Sequence, residues 1–175
     1  MKRILNGRYT AVTNESFVVF LVGMRINQFW AFHKWMPVAR AMSRMLIELQ
    51  KNPTKGLLST QTRFTWREII VTQYWDSYDQ LEEYARTPGN EHLPAWKSYN
   101  KCVAAAGNSV GIWHETFLIA PKQYECVYVN MPVTGLANSK TTEVVKAIGA
   151  RETSRLRLGG QGIPAVPSPT TPESL

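Results

Sequence analysis

Two cysteines in 175 residues, Cys102 and Cys126, are too few and too widely separated for a disulfide framework or a C-x-x-C metal or redox motif. Their scarcity points to a reduced, cytoplasmic setting. Histidine is nearly as rare, with only His33, His92 and His114. Glu115 follows His114, but no second histidine completes an H-E-x-x-H pair. A G-x-S-x-G elbow, a phosphate loop and a strand-anchored G-x-G-x-x-G are also missing, which removes the common hydrolase and nucleotide-binding readings. No stretch approaches the roughly 18 consecutive apolar residues of a spanning helix, and the basic start (Lys2, Arg3, Arg8) has no apolar run behind it as a secretory signal requires.

Acidic residues are in deficit, 13 against 20 basic, for a net charge of +7. Part of the surplus lies between Ala137 and Leu158, where Lys140, Lys146, Arg151, Arg155 and Arg157 face only Glu143 and Glu152. No zinc-finger spacing, aromatic-glycine RNA motif or helix-turn-helix pair accompanies the basic residues, so nucleic acid is not an expected partner.

A hydrophobic content of 44% suits one compact domain. We place it at residues 1–136, followed by a tail, 137–175, that is basic and then rich in proline and glycine, with too little apolar surface to order itself. Phe17–Arg25, β-branched and aromatic on both faces, predicts a central strand. From about Ala31 to Gln50, Trp35, Val38, Met42, Met45 and Leu49 recur at helical spacing, with Asn52-Pro53 as the stop. Trp30, Trp35, Met42 and Met45 are either core or the lining of a pocket.

Gly56–Thr65 and Glu68–Trp75 predict a hairpin broken at Trp66-Arg67. Ser77 and Gln80 predict a capping box for a helix ending near Arg86, and Pro94 opens another that runs to Ala106. Val110–Ile119 reads as a buried strand, and Gln123–Asn130 as one more. The order strand, helix, strand, strand, helices, strand is that of an α+β, ferredoxin-like split β-α-β sandwich. Its strands are apolar on both faces, so the sheet face without helices predicts a second copy packed against it, a homodimer.

Within this frame the chemistry concentrates on Val110–Ile119. Alternation puts His114 on the face of Val110, Ile112 and Thr116, and Glu115 on the face of Trp113 and Phe117. An imidazole in an apolar layer is a candidate general acid or base, and its plain alternative is a core histidine bonded to a carbonyl. Glu115 is a catalytic candidate or the ion-pair partner of Arg25 or Arg67. Arg25, closing the first strand, can orient an anionic oxygen or form a surface ion pair. His92 precedes a helix start, where the macrodipole favours the neutral, ligating form; extended backward, that helix carries His92, Trp96, Tyr99 and Val103 on one inward stripe. A loop histidine bonded to backbone is its plain alternative. His33 reads as exposed or capping.

The segments Gly23-Met24-Arg25-Ile26-Asn27, His33-Lys34-Trp35, Val71-Thr72-Gln73-Tyr74-Trp75, His92-Leu93-Pro94-Ala95-Trp96 and Gly111-Ile112-Trp113-His114-Glu115-Thr116 resemble the small monooxygenase-like proteins related to the fumagillin-pathway monooxygenase. The resemblance runs from about Gly7 to Leu136. It implies the dimeric α/β barrel fold and oxidation of a hydrophobic small molecule in secondary metabolism, with or without a cofactor. A weaker resemblance, over Leu81 to Leu136, is to the C-terminal half of haem aldoxime dehydratases. It implies a haem b whose iron is held by His92, with His114 in the distal pocket and a lyase activity. The chain is about half as long as those enzymes. A non-catalytic dimeric binder of an apolar ligand is the third reading.

Overall fold

The structure is a computed structural model that describes residues 3–86, 93–147 and 158. In chain order its elements are β1 (Ile4–Val12), β2 (Phe17–Ile26), α1 (Phe32–Lys51), β3 (Leu57–Phe64), β4 (Glu68–Trp75), α2 (Tyr78–Arg86), α3 (Leu93–Ala106), β5 (Val110–Ile119), β6 (Tyr128–Pro132) and β7 (Glu143–Lys146). No helix among the described residues is long and apolar enough to cross a membrane.

Strands β3-β4-β2-β5 lie in that order in one antiparallel sheet, with β2 between β4 and β5 as its double-sided apolar sequence requires. With α1 between β2 and β3, and α2 and α3 between β4 and β5, this is the ferredoxin-like split β-α-β topology. The helices cover one face. Met24, Ile26, Val71 and Val110 of the sheet bury against Val38, Ala41 and Met42 of α1 and Tyr99 and Ala106 of α3. Lys51 ends α1 just before Asn52-Pro53. At the start of α2 the Gln80 N–H donates to Ser77 Oγ at 3.2 Å, half of the expected capping box; the return arm is absent, because Gln80 Oε1 is buried without a hydrogen-bond partner.

Across the opposite face, residues sit in rows: Trp113, Gly23 and Ile70 in one; Glu115, Leu21 and Thr72 in the next; Phe117, Val19 and Tyr74 in a third. The Trp113 indole lies directly on Gly23, where a Cβ would collide with the ring, so glycine in the central strand is what lets the indole lie flat on the sheet.

A second, three-stranded sheet, β6-β1-β7, was not expected from sequence. It covers one end of this face, packing Ala11, Leu136 and Ala137 on Phe17 with Val19, Leu58, Tyr74 and Ile119 around them. The ordered domain therefore extends beyond the boundary expected at residue 136: Leu136 and Ala137 are buried, and β7 pairs with β1 from Val12↔Glu143 to Tyr9↔Lys146. The rest of the expected tail, apart from Leu158, lies outside the described residues. The strand expected at Gln123–Asn130 begins only at Tyr128, because Tyr124 and Cys126 reach the first strand through side chains. Tyr124 Oη accepts the Thr13 N–H at 2.6 Å, and Cys126 Sγ accepts the Ala11 N–H at 3.4 Å.

Candidate active site

Between the helices and the sheet lies a cavity of about 130 Å³. Phe20 and Val22 of β2, Gln73 of β4, and Ile112 and His114 of β5 form its floor; Met42, Met45, Leu46 and Leu49 of α1 form one wall. Leu81, Tyr84 and Ala85 of α2 and Tyr99 of α3 complete it. Its volume is close to that of the ~150 Å³ apolar cavity that admits one benzene. The methionines at helical spacing thus line a pocket as well as filling core, and their unbranched thioethers suit an adaptable wall.

Four polar side chains interrupt this lining. His114 projects to the cavity as strand alternation requires, with its ring tilted on Phe20 at 5.7 Å between centroids. It is exposed rather than buried, a correction to the sequence expectation whose cause is topological: β5 is the edge strand, and from His114 to Leu118 it has solvent beside it. No carbonyl or side chain among the described residues hydrogen-bonds the imidazole, so both its nitrogens are available to a ligand.

Gln73 had no assigned role in the sequence. It is 6% exposed, and its Oε1 accepts the Trp75 indole N–H at 2.9 Å. An indole nitrogen only donates, which fixes the amide orientation and leaves the Nε2 hydrogens as what Gln73 offers to the cavity. Trp75 itself is fully buried. The pairing is invisible to motif searches, yet two residues at i and i+2 on one strand always share a face, and that periodicity was the available signal.

Tyr84 and Tyr99 supply hydroxyls under the helices. Burial pushes the Tyr99 phenol up to about 12; burial and then the nearby Glu48 carboxylate do the same for Tyr84. At neutral pH both are therefore neutral phenols. Above pH 10 the unfolded chain loses these phenolic protons while the folded chain keeps them, so stability is full below pH 10 and declines as pH climbs toward 12. Thermal melts across that window should show a falling Tm, and Tyr99→Phe should flatten the fall.

The other sequence candidates are not brought to this cavity. Arg25 and Glu115 stand on the opposite sheet face; Arg25 is exposed and pairs with Glu68 at 3.4 Å, its direct neighbour across the β2–β4 ladder, rather than with Glu115. His33 is exposed in the first turn of α1. His92 lies outside the described residues, and Trp96 is described in its backbone only, while Tyr99 and Val103 do face inward as the stripe requires. The described residues give a haem no support: the cavity, about 130 Å³, is well below the ~300–1,000 Å³ of pockets for drug-sized ligands, and His92, the residue expected to hold the iron, lies outside them.

The fold is that of the ferredoxin-like α+β class, here with an apolar pocket under the helices and an imidazole at its rim. Within that class, the chain belongs to the monooxygenase af470-like family, whose model matches residues 17–136. Monooxygenase af470 of Aspergillus fumigatus is 26% identical over 125 residues, which cover 66% of this chain and 43% of that protein, so the chain spans less than half the length of this curated relative. Among solved structures, SnoaB, a cofactor-independent oxygenase from Streptomyces nogalater, is 13% identical, with a TM-score of 0.41 over 58% of this chain and 91% of SnoaB. A dimeric ferredoxin-like protein from an uncultured marine organism is 10% identical, with a TM-score of 0.41 over 59% of this chain and 94% of that one.

Proposed function

We propose that the chain is a monooxygenase of an apolar, ring-bearing small molecule of secondary metabolism, bound between helices and sheet with His114 as the proton-transfer group. The observation that carries this reading is the cavity itself: an apolar, ring-sized space with an unbonded imidazole at one side of the floor and the fixed amide of Gln73 at the other. His114 stands beside Val22 and Gln73 beside Phe20, so the two are two strands and two residues apart, roughly 12 Å between Cα atoms, a span for one substrate to touch both.

His114 takes a proton from an acidic C–H or O–H of the substrate, leaving an electron-rich anion inside apolar walls. Gln73 Nε2 donates to a substrate oxygen and stabilises the charge that develops there. Molecular oxygen is the oxidant: one atom enters the substrate, the O–O bond breaks, and the other atom leaves as water after His114 returns its proton. The balance is SH2 + O2 → S=O + H2O, with the substrate supplying all four electrons.

The test is oxygen uptake by the full chain with a panel of one- and two-ring phenols and ketones under 18O2. One labelled atom per product molecule is expected. A ligand that raises Tm without consuming oxygen identifies a binder instead, and turnover that appears only after haem addition and vanishes in His92→Ala identifies the haem reading.

The open part of the helix-free face supports a homodimer. Leu21, Ile70, Trp113 and Phe117 continue the apolar surface beyond the small sheet, and Phe117 is 46% exposed. Sedimentation should give twice the chain mass, and Phe117→Arg should shift the protein toward monomer without unfolding it; a wild-type monomer at micromolar concentration contradicts the dimer.

A further inference from the structure

Among the described residues, the most exposed aromatic side chains gather at one end of the domain. Trp66 is 83% exposed, Trp30 81%, Phe64 76% and Phe32 60%. Phe64 and Trp66 belong to the β3–β4 hairpin tip, and Trp30 and Phe32 to the passage from β2 into α1. The two loops touch: the Phe29 and Trp66 rings are 5.5 Å apart, the Arg67 guanidinium lies 5.1 Å over the Phe29 ring, and the Ile26 N–H bonds the Arg67 carbonyl at 2.7 Å. None of Trp30, Phe32, Phe64 and Trp66 lines the cavity or packs into the cluster under the small sheet, so this patch is distinct from both.

The segments that carry the patch are rich in basic residues, with Glu68 at the foot of the hairpin pairing with Arg25 at 3.4 Å. Between Glu15 and Glu68 the sequence holds eight basic residues (Arg25, Lys34, Arg40, Arg44, Lys51, Lys55, Arg63 and Arg67) and a single acid, Glu48. That interval alone accounts for a surplus of seven, equal to the +7 of the whole chain. On α1 the exposed positions His33, Pro37, Arg40, Arg44, Ile47 and Lys51 fall at helical spacing, an outward stripe that starts beside Trp30 and Phe32. A helix of 20 residues extends it about 30 Å.

We propose that this face docks the protein on an anionic lipid bilayer. Tryptophan and phenylalanine tips seat at the boundary between headgroups and acyl chains, where an amphipathic ring is favoured, and the basic stripe lies on the headgroups. A second copy of the chain is disfavoured as occupant because it brings the same positive surplus to the contact. The aromatics protrude from loop tips instead of lining a groove that could track a nucleic-acid strand, and Ile47, 53% exposed within the stripe, also suits lipid.

The experiment is co-sedimentation of the full chain with vesicles of phosphatidylcholine alone or phosphatidylcholine with phosphatidylserine, at low and physiological salt. Binding to the phosphatidylserine vesicles only, weakened by salt, is expected. Arg40→Gln/Arg44→Gln should lower the partition coefficient about 25-fold, roughly fivefold per basic residue. Trp30→Ala/Trp66→Ala should weaken binding further and remove the blue shift of tryptophan fluorescence on vesicle addition. All four substituted positions are exposed, so melting curves should stay in place. The proposal is overturned by absence of binding, by equal binding to both vesicle types, by tryptophan substitutions that change the oligomeric state and leave lipid binding intact, or by tighter binding to a single-stranded oligonucleotide than to the anionic vesicles.

Discussion

Replacing His114 by alanine should lower oxygenation by about 10²–10⁴-fold, the usual contribution of a positioned general base. The side chain is exposed at the cavity rim and has no hydrogen bond among the described residues, so its loss should move folding stability by no more than about 0.5 kcal/mol. A large kinetic loss beside an unchanged melt separates proton transfer from packing. Added imidazole should restore part of the rate, because the truncated side chain leaves room at the rim for a free base. An alanine variant that keeps more than a third of wild-type oxygen uptake would falsify the assignment. Glu115→Gln, on the other sheet face, should be close to neutral in the same assay.

The largest stability effect belongs to Trp75. It is 0% exposed and packs with Val18, Leu49, Leu57 and Leu81, so Trp75→Ala should cost about 3–5 kcal/mol, a large part of the ~5–15 kcal/mol that holds a typical domain folded. Trp75→Phe separates bulk from hydrogen bonding. The ring stays, but Gln73 Oε1 loses its donor, and an unsatisfied buried acceptor costs about 1–3 kcal/mol. Urea denaturation measures both. The phenylalanine variant should also show a raised KM with little change in kcat if Gln73, no longer held, loses its orientation toward bound substrate. Unchanged KM in a folded Trp75→Phe protein means that the amide orientation does not matter to binding.

The seven elements of the central sandwich were legible because each carries its own local signal. The period of Val38, Met42 and Leu49 gave α1, the Asn52-Pro53 stop gave its end, and the β-branched run of β2 gave a strand apolar on both sides. β1 and β7 were not legible. ILNGRYTAV is interrupted by glycine and polar residues and EVVK is four residues long; β1 is a strand because β6 and β7 pair with its two edges, and β7 because β1 pairs with it. At the site, alternation placed His114 on the correct face, but its exposure depends on β5 being an edge strand, which no local pattern states. Gln73 escaped notice because an amide on a strand is unremarkable until Trp75 is seen to hold one end of it.

The small sheet also sets an order of events. β1 takes its partners from the far end of the domain, Ile4 with Pro132 and Val12 with Glu143. During synthesis at ~5–20 residues per second, β1 waits on the order of ten seconds before either partner exists. The β2–β5 sandwich, whose contacts close within a shorter span of chain, has time to form first. In the interval β1 is a lone strand with two open edges, and the seam with β6 and β7 is the last to close and the place where a growing chain is most vulnerable to pairing with a neighbour.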